Sequence, residues 1–420
     1  MRSPQSRPCH PDGPYGPQGG ERRAEAFFTM LQTLHVEKPD RFEYVAKRIK
    51  HLCTDVNPQW LPRTENYETI YPDAIRVWEL LPYMTELESL ELRGNCFYGR
   101  DEEDPVHELR GPTPQLRFAK LSGYIPRALP AWVLKAGNTL ERLELGMLDR
   151  PISTNMSSHP EQIPLPHERL RAQKGHENTE AESDVDSDGE DEDNGNEDDD
   201  DGSDWGSLGG EAVIPRPLGG CLSSYQDNEL KLPKIKHLYL GQPSESSYFD
   251  SVLEYSWSKR AEKACYSDWR KIIQASIPTL STLVLEQRPA ADYIENDGIS
   301  EEEWMENNTT PSASRNLIKM VLKVLETDKS QGSLQHVYLY GIFVSILDDG
   351  MPDPEETSGQ LMQLLQGCGV ECEARVGQWC FFDRNPGRAM WGDWYGDDES
   401  EDEMEAGDET MKWDDLWCRV

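Results

Sequence analysis

Aliphatic residues follow one template at six places along the chain. The clearest copy spans residues 87–95 and reads L-x-x-L-x-L-x-x-N, with Leu87, Leu90 and Leu92 at its apolar positions. Five further copies keep the same offsets: Leu116/Ala119/Leu121, Leu140/Leu143/Leu145, Ile235/Leu238/Leu240, Leu280/Leu283/Leu285 and Leu334/Val337/Leu339. A weaker seventh copy, at residues 49–52, shares its tetrapeptide Ile-Lys-His-Leu with residues 235–238. The template predicts one short strand per copy.

A single strand of this kind cannot bury its apolar edge, whereas stacked copies can, so the repeats predict a leucine-rich-repeat solenoid. The expected fold class is α/β: a curved parallel sheet of about seven to eight strands, with helices on its convex side and a disordered acidic loop interrupting it. Six copies at constant offsets disfavour the alternative of unrelated core strands that happen to contain leucine. The spacings of 29 and 24 residues between the first three copies suit one strand and a short return each.

Apolar residues at helical spacing predict the elements between the strands. Helices are expected over residues 25–33, 73–81 with Asp73 as the N-terminal cap, 128–136, 247–275, 315–327 and 358–366. Two further strands are expected. The first covers residues 44–53, and the last, over residues 370–376, alternates apolar and charged residues as a half-buried edge strand would.

The net charge of −36 is concentrated in two segments. Residues 177–204 hold sixteen acidic residues and no Lys or Arg, and residues 393–409 hold ten more acidic residues. The other 375 residues therefore have a net charge of only −10. Like charges prevent such runs from collapsing. We therefore expect a disordered N-terminus over 1–21, a solenoid over 22–385 with a disordered insert at 155–228, and an acidic, aromatic tail over 386–420.

The composition also narrows the classes of function. An acidic chain is a poor direct partner for nucleic acid, because phosphate contacts need a basic surface. Nine cysteines, an odd number, and the lack of an apolar leader indicate reduced thiols in the cytosol or nucleus, and no apolar run is long enough to span a membrane. Catalytic signatures and zinc-binding Cys/His spacings are missing, so we expect no enzyme, cofactor or metal.

The residues between the leucines are the candidate binding site, because they would line the concave side of the sheet as a broad, rigid surface. These candidates are Glu91, Arg93, Phe118, Lys120, Arg142, Glu144, His237, Tyr239, His336, Tyr338 and Tyr340. The three tyrosines fall in adjacent rows, and tyrosine is enriched at binding hot spots. An alternative is that they are ordinary strand aromatics half-covered by the insertions.

Two features of the acidic segments have a functional and a structural interpretation. Ser183, Ser187 and Ser400 are surrounded by acidic residues, which is the context that acidophilic kinases read, although the same runs could be unmodified spacers. Trp413, Leu416 and Trp417 in the tail are spaced as one face of a helix. That face could enter a partner's groove or fold back to cap the solenoid.

Residues 27–34, Phe-Phe-Thr-Met-Leu-Gln-Thr-Leu, followed by Lys38-Pro-Asp-Arg-Phe-Glu-Tyr-Val-Ala-Lys-Arg-Ile-Lys-His-Leu52, resemble the opening of fungal F-box-type leucine-rich-repeat proteins. The resemblance covers about residues 27–376 without the acidic insert. It implies the substrate-binding part of a cullin-type ubiquitin-ligase receptor, whose repeats hold a target protein. No F-box is visible, through loss or because it would lie upstream, so the resemblance does not extend to binding a Skp-type adaptor.

A second class of protein fits the same features. Acidic leucine-rich nuclear phosphoproteins join a repeat solenoid to an acidic tail and bind basic proteins such as histones. The densest acidic run here lies within the array of repeats rather than after it, which departs from that plan. The favoured interpretation is therefore a non-enzymatic protein-binding module, with the acidic binder as the alternative.

Overall fold

The L-x-x-L-x-L segments form neighbouring strands of one sheet in the computed structural model of the chain. The structure describes residues 17–57, 60–64, 69–94, 108–153, 165, 168, 213–225, 229–245, 258–289, 314–327, 333–342, 344, 347 and 351–375. The strands are β1 (His51–Val56), β2 (Ser89–Gly94), β3 (Phe118–Tyr124), β4 (Arg142–Ser153), β5 (Val213–Pro217), β6 (His237–Ser244), β7 (Thr282–Pro289), β8 (His336–Tyr340) and β9 (Glu371–Arg375).

Seven α-helices accompany the strands in the described part of the chain. They are α1 (Pro17–Glu37), α2 (Pro39–Lys47), α3 (Val77–Leu80), α4 (Ala128–Leu134), α5 (Lys259–Ser276), α6 (Arg315–Thr327) and α7 (Thr357–Gly367), and a 3₁₀ helix, Leu81–Tyr83, continues α3. None of them combines the length and the apolar character that crossing a membrane requires.

Eight strands run parallel in the order β1-β2-β3-β4-β6-β7-β8-β9, and β5 pairs with β4 antiparallel off this path. The register places equivalent template positions opposite each other: Leu90 pairs with Ala119, which pairs with Leu143, and Leu238 pairs with Leu283. The prediction of an α/β fold with a parallel sheet of about this size is confirmed.

The second and third apolar positions of every copy lie on one face of the sheet, against the helices. Leu92, Leu121 and Leu240 are completely buried and belong to the same core cluster as Trp132 of α4 and Ile273 of α5. Burying a leucine side chain in such a core stabilises the fold by about 1.5–3 kcal/mol. The sheet and its helices therefore depend on one continuous apolar layer.

A repeated hydrogen-bond pattern joins successive copies where their strands begin. The Lys50 carbonyl accepts from the backbone N–H groups of Glu88 and Ser89, and the Glu141 carbonyl accepts from those of Lys236 and His237. The same double acceptance recurs at each junction from β1 to β8. These bonds join backbone groups at the first residue of each strand and just before it, and so they fix the register between copies.

Several predicted elements are confirmed and others are corrected. The helix at 315–327, the helices near 128–136 and 358–366 and the final edge strand are present, while residues 247–257 of another predicted helix lie outside the described residues. The predicted strand at 44–53 is wrong at its start, because residues 39–47 form α2, whose Phe42 and Ala46 are buried one helical turn apart. Helix α1 also begins at Pro17, inside the segment expected to be disordered.

Two further expectations fail for local reasons. The helix expected over 73–81 begins only at Val77, and the side chain of Glu79 accepts from the Arg76 N–H at 2.8 Å, so Asp73 is not its cap. The insert expected to be disordered to residue 228 is ordered at 213–225, where β5 pairs with β4 and Leu222 is completely buried.

The returning end of the insert is held by α5. The Asp268 carboxylate accepts the backbone N–H groups of Cys221 at 2.7 Å and Leu222 at 3.1 Å, and Lys271 donates to the Leu222 carbonyl at 3.0 Å. Gly219 permits this approach, since a Cβ there would lie 2.4 Å from the backbone nitrogen of Cys265. Burial raises the pKa of Asp268 to about 6, although its bonds to the backbone N–H groups of Leu222 and Cys221 oppose the shift.

The raised pKa of Asp268 predicts a pH-dependent contribution to stability. Because the folded protein binds this proton more tightly than the unfolded chain, the contribution is complete below about pH 4 and is lost as the pH rises to about 6, up to about 3 kcal/mol. We expect the difference in unfolding free energy between the native chain and Asp268→Asn to fall by that order across this window in urea titrations. A difference that stays constant with pH would contradict the assignment.

Candidate functional site

The strand positions between the core leucines form a second face of the sheet, on which Glu91, Lys120, Tyr239 and Tyr338 lie; we call it the open face. All eleven candidate binding residues of the sequence belong to strands of the sheet and to this face. On β2 the open-face residues are half-buried, whereas the leucines between them are fully buried. This alternation is expected of a strand in a sheet that is covered on one side.

The parallel register arranges the open face in rows. One row contains Ser89, Phe118, Arg142, His237, Thr282, His336 and Glu371. The next row contains Cys53, Glu91, Lys120, Glu144, Tyr239, Val284, Tyr338 and Glu373. Side chains in a row come from adjacent strands, so they contact one another across the sheet.

Ion pairs dominate the half of the open face formed by β1–β4. Lys120 lies 3.0 Å from Glu91, which also accepts from the Cys53 thiol at 3.4 Å, and Arg93 lies 3.8 Å from Asp55. The half-exposed pairs contribute about 0–1 kcal/mol each, because water competes for them.

A third pair in this half is withdrawn from solvent. Arg142 and Glu144 sit two residues apart on β4, with 2.5 Å between their nearest charged atoms, and their side chains are only 6% and 8% exposed. Both were candidate partner-binding residues. Their side chains are withdrawn from the exposed part of the open face.

Aromatic side chains dominate the half formed by β6–β9. Tyr239 and Tyr338 pack against the buried pair Val284 and Tyr340, and the rings of Tyr338 and Tyr340 are 5.9 Å apart. His336 stacks on Tyr338 with 6.4 Å between ring centroids and an angle of 18°. The ring geometry is that of favourable offset aromatic contacts, which contribute about 0.5–1.5 kcal/mol beyond the area they bury.

Carboxylates surround this aromatic cluster. The Tyr239 hydroxyl donates to the carboxylate of Glu286, which is 3% exposed. On β9, the Glu371 side chain is 82% exposed and lies 3.0 Å from Nδ1 of His336, while Glu373 is exposed beside Tyr338 in its row. The two halves of the open face therefore differ: one carries ion pairs, and the other carries tyrosines flanked by carboxylates.

His237 lies where the two halves meet. Burial, together with the positive charges of Arg142 and Lys236, lowers the pKa of His237. Its Nδ1 is buried and makes no hydrogen bond with the part of the chain that the structure describes. His237 is thus neutral near pH 7, and it contributes an uncharged ring to the open face.

The outcome for the candidate residues is therefore uneven. Glu91, Arg93, Phe118, Lys120, His237, Tyr239, His336 and Tyr338 are half-exposed, whereas Arg142, Glu144 and Tyr340 are buried. The serines proposed for phosphorylation, Ser183, Ser187 and Ser400, lie outside the described residues. Within the part of the chain that is described, no group of three His, Cys, Asp or Glu side chains is placed to bind a metal ion.

The sequence interpretation missed the residues at the two ends of the open face. Asp55 of β1 was missed because the predicted strand ended at residue 53, and Cys53, although inside that strand, was not counted as part of the surface. The match between residues 49–52 and 235–238 contained the necessary signal, since it aligns His51 with His237 and predicts that the strand continues beyond residue 53. Glu371 and Glu373 were assigned to an edge strand but were not counted as part of the surface.

Comparison with protein-family models finds no matching family, and comparisons with curated proteins and with solved structures find no significant match.

The bond between Tyr239 and Glu286 gives the aromatic half a testable anchor. Replacing Tyr239 with Phe removes a donor from a buried carboxylate, so we expect the free energy of unfolding to fall by about 1–2 kcal/mol. Tyr83→Phe, at a 39% exposed tyrosine outside the sheet, is the control and should change it by less than about 0.5 kcal/mol. Equal losses in guanidinium titrations of the two variants would contradict this role for the hydroxyl.

Proposed function

We propose that this chain is a leucine-rich-repeat protein of the non-enzymatic, protein-binding type, and that its open face holds another protein. Three observations support the repeat architecture: strands that follow the sequence order, in-register template positions, and the same double hydrogen bond at successive junctions. Together they are typical of units that stack only on their neighbours.

The observation that carries the binding proposal is the tyrosine cluster of β6–β8. Tyr239 and Tyr338 are half-exposed, held by a buried Val284–Tyr340 pair and, for Tyr239, by Glu286. Aromatic side chains that are already ordered lose little conformational entropy when they bind. A surface of this kind supports recognition of a protein partner rather than catalysis, for which buried and mutually positioned acid, base or nucleophilic groups would be needed.

Within this class, we favour a role like that of the substrate-binding part of F-box ubiquitin-ligase receptors. Support comes from the segment over residues 27–52, whose Lys38-Pro-Asp and Val45 precede the first strand as in the fungal members of that family. Helix α1 packs on the end of the sheet at β1, and α2 packs on α1. In this role the open face would hold the target, in the cytosol or the nucleus.

Removal of the tyrosines tests the proposed surface. Affinity capture with the native chain and with the double variant Tyr239→Ala plus Tyr338→Ala should yield at least one partner whose recovery falls by about tenfold or more in the variant, because such residues contribute about 2 kcal/mol or more each at hot spots. Tyr71→Ala, at a half-buried tyrosine outside the sheet, is the matched control. The same partners at the same recovery from all three baits would refute this location of the site.

Binding of basic proteins is a second candidate function, and one observation favours it. The aromatic half of the open face carries the carboxylates of Glu286, Glu371 and Glu373 beside its tyrosines. The acidic run at residues 177–204 would add a non-specific attraction for basic proteins.

Deletion of residues 176–204 tests the contribution of that run. If the chain is an acidic chaperone, the deletion should weaken binding to a histone mixture by about tenfold or more at low salt, where attraction between exposed charges is strongest. The native chain, with its acidic run and its open face intact, is the reference. Unchanged affinity in the deletion variant would remove the chaperone function from consideration.

A further inference from the structure

Most of the large apolar side chains that are exposed in the described residues lie on or beside the first two helices. Among described residues, the large apolar side chains with notable exposure are Met30, Val36, Ile70, Tyr83, Leu347, Met351 and Tyr44, which is the most exposed at 62%. Four of these seven, Met30, Val36, Tyr44 and Tyr83, belong to α1, α2 and the 3₁₀ helix packed beside them. The inner side of the same helices is well packed, since Phe42 contacts both His35 and Tyr83 at 5.0 Å.

The same surface is basic in a strongly acidic chain. Residues 22–50 contain seven Lys or Arg and four Asp or Glu, so this segment is positively charged, whereas the net charge of the whole chain is −36. Arg41 and Tyr44 of α2 and Arg48, its C-terminal cap with helical backbone angles, share a face because they are three and four residues apart. Arg48 lies over the Tyr44 ring at 5.2 Å and donates to its hydroxyl. Lys38 and Lys47 are exposed beside them, and we call the exposed surface of α1 and α2 the basic cap.

We propose that the basic cap binds the acidic, aromatic segment at residues 391–409 of the same chain. This segment begins with Trp391, Trp394 and Tyr395 and continues with a run of acid, so that residues 393–409 contain ten carboxylates and no Lys or Arg. The segment complements the cap in charge and in apolar character. Its carboxylates would pair with Arg41, Lys47 and Arg48, and its indole rings would pack on exposed apolar side chains and cations.

The length of the intervening chain permits the contact. The sheet ends at Arg375, and fifteen residues separate it from Trp391. Fully extended, fifteen residues reach about 50 Å. Eight strands about 4.8 Å apart span about 34 Å, so the segment can return from β9 to the helices beside β1. Tethering also gives the segment a high effective concentration at the cap, of the order of millimolar for a flexible linker.

The apolar content of the cap selects between the two acidic segments of the chain. Residues 177–204 carry more acid but no aromatic residue, so they would satisfy the cations and leave Val36 and Tyr44 exposed. Residues 391–409 can cover both. The contact would bring the first and last parts of the chain together and cover one end of the stacked sheet, a place where repeat proteins need a cap.

Carbodiimide crosslinking of the full chain, which joins lysine amines to carboxylates in direct contact, tests the proposal. Peptide mapping of the monomer fraction should join Lys38 or Lys47 to residues 393–409, at least about fivefold more often than it joins Lys319 of α6 to them. Lys319 is an exposed control amine closer in sequence to the tail. The yield should fall by about the same factor in 1 M salt, where the screening length is about 3 Å.

Two variants make the assignment specific. Arg41→Glu with Arg48→Glu should reduce the crosslinks of the cap lysines at least about fivefold, while Arg315→Glu on α6, an exposed arginine outside the cap, should not. Trp391→Ala with Trp394→Ala should also reduce the crosslinks of the cap lysines, although this variant keeps every charge of the segment. Circular dichroism of each variant checks that the helices persist.

Four results would overturn the proposal: cap lysines joined mainly to residues 177–204, crosslinks found only between copies, yields no higher than at Lys319, or charge-reversal variants with unchanged yield. None of these results depends on the open face, so the proposed binding function and this contact can fail separately.

Discussion

The structure depends on burial of the second and third apolar positions of each repeat between the sheet and the helices. The strand that carries Leu90 and Leu92 buries these side chains fully only when strands in the same register lie on both sides of it. This constraint acts between neighbours in space and does not require a constant distance along the chain. For that reason β4 and β6 pair directly, Leu143 with Leu238, although 95 residues separate their templates. Lengthening such a loop costs only about 0.6 kcal/mol per doubling.

The parts of the fold that depend on this constraint could be predicted from sequence, and the parts that depend on local competition could not. Template offsets located β2, β3, β4, β6, β7 and β8, because period-two alternation and repetition agree. The start of the first strand was predicted wrongly because Phe42, Tyr44 and Val45 suit a strand as well as a helix. Residues 39–47 form a helix, in which Phe42 and Ala46 are buried together. β5 escaped notice because Pro215 and Pro217 disfavour a central strand, whereas an antiparallel strand off the main path tolerates them.

For the open face, sequence predicted which residues share the surface but not which of them reach solvent. That distinction depends on side-chain conformation. Arg142 and Glu144 are two residues apart on one strand, so they can pair with each other and become buried. Tyr340 is buried with Val284 against Tyr338, while Tyr239 bends toward Glu286 on the next strand. The period of the sequence pattern does not predict which partner each side chain contacts, because several partners of similar chemistry lie within its reach.

The uneven face limits how the proposed module can recognise a partner. In the β1–β4 half, Arg93, Lys120 and Arg142 already pair with carboxylates, so a partner that engages them must break a pair to form another, and the net gain is small. In the β6–β9 half, ordered tyrosines and exposed Glu371 and Glu373 offer apolar area and negative charge together. Specificity should therefore be set by the later repeats, and the earlier ones mainly keep the register that presents them. A partner that binds here needs aliphatic or aromatic groups beside a cation, since either feature alone would leave half of this surface unmatched.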